Sequence, residues 1–64
     1  MIGLQGRVTG RIGPGLVGEV MVQVRGGAEA FIAYAAEHGE SIPVGALVVV
    51  MDYHAPRTVY VAAL

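Results

Sequence analysis

The chain has 64 residues, of which 55% are hydrophobic and 14% are charged, and its net charge is −1 at pH 7. A chain of this length forms one domain, residues 1–64, and buries only about 60% of the surface that its unfolded form exposes. Because it contains no cysteine, disulfide bonds and thiolate zinc sites are excluded as sources of stability. We therefore expect a closed architecture, a partner or both to stabilise it.

The charges do not form a basic surface. The four arginines stand at 7, 11, 25 and 57, with five acidic residues among them and no lysine. Binding to nucleic acids or to anionic membranes requires clustered basic residues, so the charge pattern argues against both. The longest strongly apolar run, residues 44–51, is far shorter than the roughly 20 residues that a membrane helix needs. We expect this chain to be soluble.

The first two predicted strands alternate clearly. In residues 4–12 and again in 16–24, the even positions are apolar or glycine, whereas most odd positions are polar. This period of two predicts strands with one buried face. The Gly-Pro-Gly sequence at 13–15 separates the strands, because glycine and proline end regular structure.

Gly26 and Gly27 predict a tight hairpin turn into a third strand, residues 28–36. This strand is apolar on both faces, and a bulge would exchange them. We predict that Ile32 points into the core and that Phe31 points outward.

Two more strands are predicted, at 46–53 and 58–62. Pro43 and Gly45 precede the first of them and exclude a long helix there. Five strands with short turns predict an all-β fold, a small five-stranded OB-fold-like barrel. The predicted core comprises the inward aliphatic residues Val8, Val20, Val22, Ile32, Val48, Val50, Val59 and Val61.

Several motifs occur in a fixed order: I-G-L-x-G-R-V, G-P-G-x-x-G-E-V-x-V, a G-G turn, I-P-x-G-x-x-V-V-V and a final V-Y-V. In this order and spacing the chain resembles the C-terminal OB-fold domain of the NfeD family. The residues that carry the resemblance are Gly3, Gly6, Val8, Gly15, Gly18, Val20, Val22, Gly27, Ala30, Ile42, Gly45, Val48, Val50, Val59 and Val61. The hairpin is most similar to the branch that is paired with flotillins.

The resemblance implies a non-catalytic protein–protein interaction domain that acts with membrane scaffolds of the stomatin, prohibitin and flotillin (SPFH) class. It implies that the full-length protein is membrane-associated through segments outside this chain, with the soluble domain in the cytoplasm. The chain is then an excised domain or a short soluble member. Self-association is a further expectation, and the alternative function is a nucleic-acid-binding OB-fold module.

Few residues are candidates for chemistry. Asp52 and His54, or His38 with its neighbouring glutamates, are metal-ligand types, but two histidines in separate loops are more typical of solvated turns. Ser41, the only serine, has no evident base or oxyanion donors near it in sequence. We therefore predict no catalytic, metal or cofactor site.

The surplus of apolar residues on predicted outer faces is the main functional signal, because large exposed apolar patches usually mark interaction sites. The predicted interaction patch is drawn from Val17, Met21, Phe31, Val49, Met51 and Tyr60.

Overall fold

The computed structural model describes all residues, 1–64, and contains five strands. They are β1 (Gln5–Gly10), β2 (Gly18–Val24), β3 (Gly27–Ala35), β4 (Leu47–His54) and β5 (Thr58–Ala63). They close into a barrel in the order β1-β2-β3-β5-β4, with β4 paired back to β1. All pairs are antiparallel except β3 and β5, which are parallel. The predicted five-stranded OB-fold-like barrel is confirmed.

The inside of the barrel is filled by side chains from every strand. β-Branched aliphatic residues dominate, because they pack well on a pleated, inward face. The eleven buried core residues are Val8, Ile12, Val20, Val22, Phe31, Ala33, Ile42, Val48, Val50, Val59 and Val61. No helix of the length and hydropathy needed to cross a membrane is present.

The predicted face of β3 is wrong. Phe31 is 4% exposed and lies in the core, whereas Ile32 is 43% exposed on the outer surface. The reason is the length of the hairpin loop: Val24 pairs with Gly27, so only two residues separate the strands. A two-residue loop pairs an even position with an odd one, and paired residues share a face. The even inner face of β2 therefore continues on the odd residues of β3.

The predicted hairpin turn at Gly26 and Gly27 is confirmed, but β3 begins at Gly27, one residue earlier than predicted. Gly26 has a φ of 83°, whereas Gly27 is already the first residue of β3 and has no positive φ. The left-handed conformation that the turn requires, which only glycine adopts readily, therefore falls on Gly26.

A short β-bridge joins the β1–β2 loop to the connection between β3 and β4. Ile12, after β1, and Ile42, before β4, form an isolated antiparallel bridge. Its two backbone hydrogen bonds, from Ile12 N to Ile42 O at 3.0 Å and from Ile42 N to Ile12 O at 2.8 Å, hold the loops together. Both side chains are buried in the core. The bridge fixes the spacing between the β1–β2 loop and the β3–β4 connection.

Candidate interaction surface

The outer surface of the barrel divides into two halves of different composition. On β1 and β2 the outward side chains alternate with buried ones and are mostly polar. We call this surface the polar half, formed by Gln5, Arg7, Thr9, Glu19, Met21 and Gln23. On β3, on the second half of β5 and on the first half of β4, the outward side chains are apolar or aromatic, whereas Thr58, Asp52 and His54 at the other ends of β5 and β4 are polar. We call this surface the apolar half, formed by Ile32, Tyr34, Leu47, Val49, Tyr60 and Ala62.

The members of the apolar half are neighbours across the sheet. Tyr34 pairs with Tyr60 across β3 and β5, with ring centroids 5.7 Å apart. Val49 pairs with Ala62 across β4 and β5. Leu47, two residues before Val49 on the same face, is 45% exposed. The apolar half is therefore a continuous surface and not a scatter of single side chains.

A groove opens beside Tyr34 and Tyr60 of the apolar half. We call it the tyrosine groove: its floor is Tyr34 and Tyr60, and its walls are the β1–β2 loop at residues 13–17 and the β3–β4 connection at residues 37–40. Its volume is about 520 Å³, which is in the range of small-ligand sites. The bridge between Ile12 and Ile42 ties the two walls together.

Residues 5–62 match the family model of the NfeD C-terminal domain. The chain belongs to this family. Its whole length also aligns with the C-terminal domain of stomatin operon partner protein 1510-C from Pyrococcus horikoshii, with 33% identity, a TM-score of 0.71 and coverage of 88% of that chain. No curated protein matches the sequence. The family resemblance found in the sequence is confirmed.

The NfeD domain does not bring the predicted patch residues together on one surface. Val49 and Tyr60 lie in the apolar half, and Val17 lies in a wall of the tyrosine groove. Met21 lies on the polar half, where it pairs with Arg7 of β1. A further predicted member, Phe31, is excluded from any outer patch because it is buried.

Met51 occupies a bulge in β4 of the NfeD domain. The register between β4 and β5 shifts between Val50 and Asp52, so Met51 has no partner in the ladder. Its side chain is 51% exposed. A bulge leaves one extra residue unpaired and bends the strand, so the regular alternation of β4 ends here.

The patch predicted from the sequence does not include four residues of the apolar half: Ile32, Tyr34, Leu47 and Ala62. The prediction that Ile32 points into the core also places Tyr34, two residues further along β3, on the inner face. The two-residue spacing of the hairpin was the signal that could have corrected this, because it fixes which face of β3 continues the core. Leu47 and Ala62 stand in uniformly apolar segments, where alternation gives no signal.

The candidate metal ligands of the NfeD domain are separated into two places. The His54 Nε2 and Asp52 Oδ2 atoms are 3.2 Å apart on the exposed end of β4, and the His54 ring contacts the Tyr60 ring edge-to-face at 5.2 Å. His38 lies instead in the wall of the tyrosine groove. No three histidine, aspartate or glutamate side chains come together in the arrangement that a metal ion requires.

Two of the arginines of the NfeD domain are bound within the chain. The Arg57 guanidinium lies over the Phe31 ring, 5.3 Å from its centroid, and donates to Glu29 Oε1 at 3.2 Å. Arg7 donates to the backbone oxygen of Gly45 at 3.0 Å. These contacts hold the two guanidinium groups at separate places, on β1 and in the β4–β5 turn.

Proposed function

We propose that this domain is a non-catalytic protein interaction domain that acts with a membrane scaffold protein of the SPFH class. The family membership supports the proposal. So does the solved relative, whose name describes it as a stomatin operon partner and which shares 33% of its residues with this chain. The proposal also includes the location: the full-length protein is membrane-associated, and this domain lies in the cytoplasm.

The observation that carries the proposal is the apolar half. Burying an apolar side chain contributes about 25 cal/mol per Å² removed from water, so outward isoleucine, leucine, valine and tyrosine side chains are most stable when covered. The polar half shows that the outward positions of this barrel do not have to be apolar. A contiguous apolar surface on a domain this small is typical of a protein interface.

The docking surface in the proposal is the apolar half, with Tyr60 and Val49 near its centre. Both are half-buried, and each has an outward apolar neighbour on one adjacent strand, Tyr34 beside Tyr60 and Ala62 beside Val49, with Asp52 and Gln5 on their other sides. Interface hot spots tend to be aromatic side chains that are surrounded by a ring of other contacts. Association through this surface is therefore mainly hydrophobic and depends only weakly on salt.

The proposal is tested with a double variant, Ile32→Glu and Leu47→Glu, which places charges on two exposed positions of the apolar half. We expect the Kd for the purified SPFH-class protein of the same organism, measured by isothermal titration calorimetry, to rise at least about tenfold, which corresponds to about 1.4 kcal/mol. The matched control, Met21→Glu with Gln23→Glu, adds two glutamates to the polar half and is expected to change Kd less than about twofold.

Each alternative has its own outcome. If the control variant weakens binding as strongly as the test variant, the docking surface is not the apolar half. If the unmodified chain does not bind the SPFH-class protein but binds single-stranded oligonucleotides with strong salt dependence, the domain is a nucleic-acid-binding OB-fold module. If it only self-associates, and the test variant abolishes this, the apolar half is an interface between copies and the SPFH role is rejected.

A further inference from the structure

The tyrosine groove differs in charge from the rest of the molecule. Its walls carry Glu37 and Glu40, and none of the four arginines lines it. The only other titratable side chains that line it are those of His38 and the two floor tyrosines. A groove lined by charges of one sign concentrates the field and attracts the opposite charge. The tyrosine groove is therefore suited to a cationic group.

The floor and walls of the groove are suited to the rest of a long basic side chain. Tyr34 and Tyr60 present adjacent aromatic rings, and a guanidinium or ammonium group is attracted to the face of such a ring. Leu16 and Val17, both largely exposed on the opposite wall, offer apolar contacts. Arginine and lysine place an apolar stem against such surfaces while the charged end remains near acceptors.

The tyrosine hydroxyls add hydrogen-bonding capacity. Of the three tyrosines, Tyr53 donates its hydroxyl hydrogen to the Pro56 backbone oxygen at 2.9 Å. The hydroxyls of Tyr34 and Tyr60 have no such partner within the chain, and both residues remain partly exposed. A hydroxyl oxygen accepts hydrogen bonds from guanidinium or ammonium groups. The groove thus combines aromatic faces, carboxylates and acceptors around one opening.

We propose that the tyrosine groove binds an arginine or lysine side chain presented by a peptide segment of the protein partner. The proposal rests on the proposed function, because it adds to the hydrophobic docking surface the chemistry of one residue that the partner must present. Tyr60 belongs to both the apolar half and the groove, so one partner segment is able to cover both. The cationic end selects the partner, and the apolar half contributes most of the affinity.

The first test uses a defined peptide probe, acetyl-Gly-Leu-Arg-Leu-Gly-amide, added to the isotope-labelled chain. The control peptide carries citrulline in place of arginine, which keeps the shape but removes the charge. We expect amide chemical-shift changes at Val17, Tyr34 and Glu40 with the arginine peptide, at least about fivefold weaker binding of the citrulline peptide, and no changes around Gln23 on the polar half. Equal binding of the two peptides, or shift changes located elsewhere, would overturn the proposal.

The second test removes the charge of the groove without altering its shape. In the variant Glu37→Gln with Glu40→Gln, we expect the Kd for the arginine peptide to rise about threefold to tenfold, since exposed ion pairs have modest strengths. The control, Glu19→Gln with Glu29→Gln, makes the same change in net charge outside the groove and is expected to leave binding unchanged. If both variants weaken binding equally, the effect is one of net charge, and the groove is not the site.

The two proposals fail separately. One outcome is that the variant with Ile32→Glu and Leu47→Glu no longer binds the SPFH-class protein, whereas the variant with Glu37→Gln and Glu40→Gln binds it normally. The docking surface then stands, and the groove proposal fails. If the arginine peptide binds the groove but the SPFH-class protein does not bind the unmodified chain, the groove proposal stands and the partner class is wrong.

Discussion

The polar half and the apolar half are both built from strands, but they differ in how clearly the sequence indicates which face of a strand is outward. On β2, Glu19 and Gln23 identify the outward face, and the inward residues Val20 and Val22 are buried as a consequence. On β3, both faces are largely apolar, and the length of the hairpin loop that precedes the strand decides which face is buried. The comparison teaches that polar residues specify the register of a strand, whereas apolar residues on an outward face serve something other than closure of the barrel.

The largest change in the free energy of unfolding is expected in a comparison of two adjacent residues of β3. Phe31→Ala should reduce the free energy of unfolding by about 3–5 kcal/mol, since it removes a buried aromatic side chain and leaves a cavity. Ile32→Ala should cost less than about 1 kcal/mol, because the isoleucine is largely exposed. Urea unfolding, followed by circular dichroism, measures both. A small domain is marginally stable, so the Phe31 variant is expected to be largely unfolded.

The reverse order of these two values would mean that β3 presents its even residues to the core. The apolar half would then lose Ile32 and Tyr34, and the comparison between the two halves would no longer hold.

A smaller change in the free energy of unfolding is expected for substitutions in the β2–β3 turn, which joins the two halves. Gly26→Val should cost about 1–2 kcal/mol, because a β-branched residue is disfavoured at a positive φ of 83°. Gly27→Val should change the free energy of unfolding by less than about 0.5 kcal/mol, since an added Cβ meets no atom within 4 Å. Thermal unfolding of the two variants is the measurement. A greater loss at Gly27 would place the turn one residue later than the structure does.

The smallest effect on stability is expected on the outer surface. Ile32→Thr keeps a β-branched residue in the strand and should change the free energy of unfolding by less than about 0.5 kcal/mol. It should nevertheless lower the fluorescence of the dye ANS, which binds exposed apolar surface. Gln23→Thr, the matched change on the polar half, should leave ANS fluorescence unaltered. Equal fluorescence in all three proteins would show that the apolar half is not a distinct surface.

Much of the fold was predictable from local patterns. The alternation around Val8 and Val20 located β1 and β2 and their buried faces, and the glycines located the turns. The parallel pairing of β3 with β5 was not predictable, because it joins residues such as Tyr34 and Tyr60 that are far apart in sequence and lack any local signal.

The candidate surface was only partly predictable. The surplus of apolar residues on predicted outer faces correctly indicates Val49 and Tyr60 as outward residues. Phe31 was misplaced because its size and hydropathy suit either face, and the loop length that decides the matter is a property of the pair of strands. The tyrosine groove was missed altogether, since it depends on the bridge between Ile12 and Ile42, which lie 30 positions apart.

The position of β5 has a consequence for the order of folding. Although β5 is the last strand of the barrel along the chain, it lies between β3 and β4 in the sheet. Until β5 emerges from the ribosome, the barrel remains an open sheet with two unpaired edges, and such edges are sites of aggregation. Synthesis of the first four strands therefore cannot yield a closed domain. Closure has to wait for the long-range insertion of Thr58–Ala63, a non-local step that is intrinsically slow.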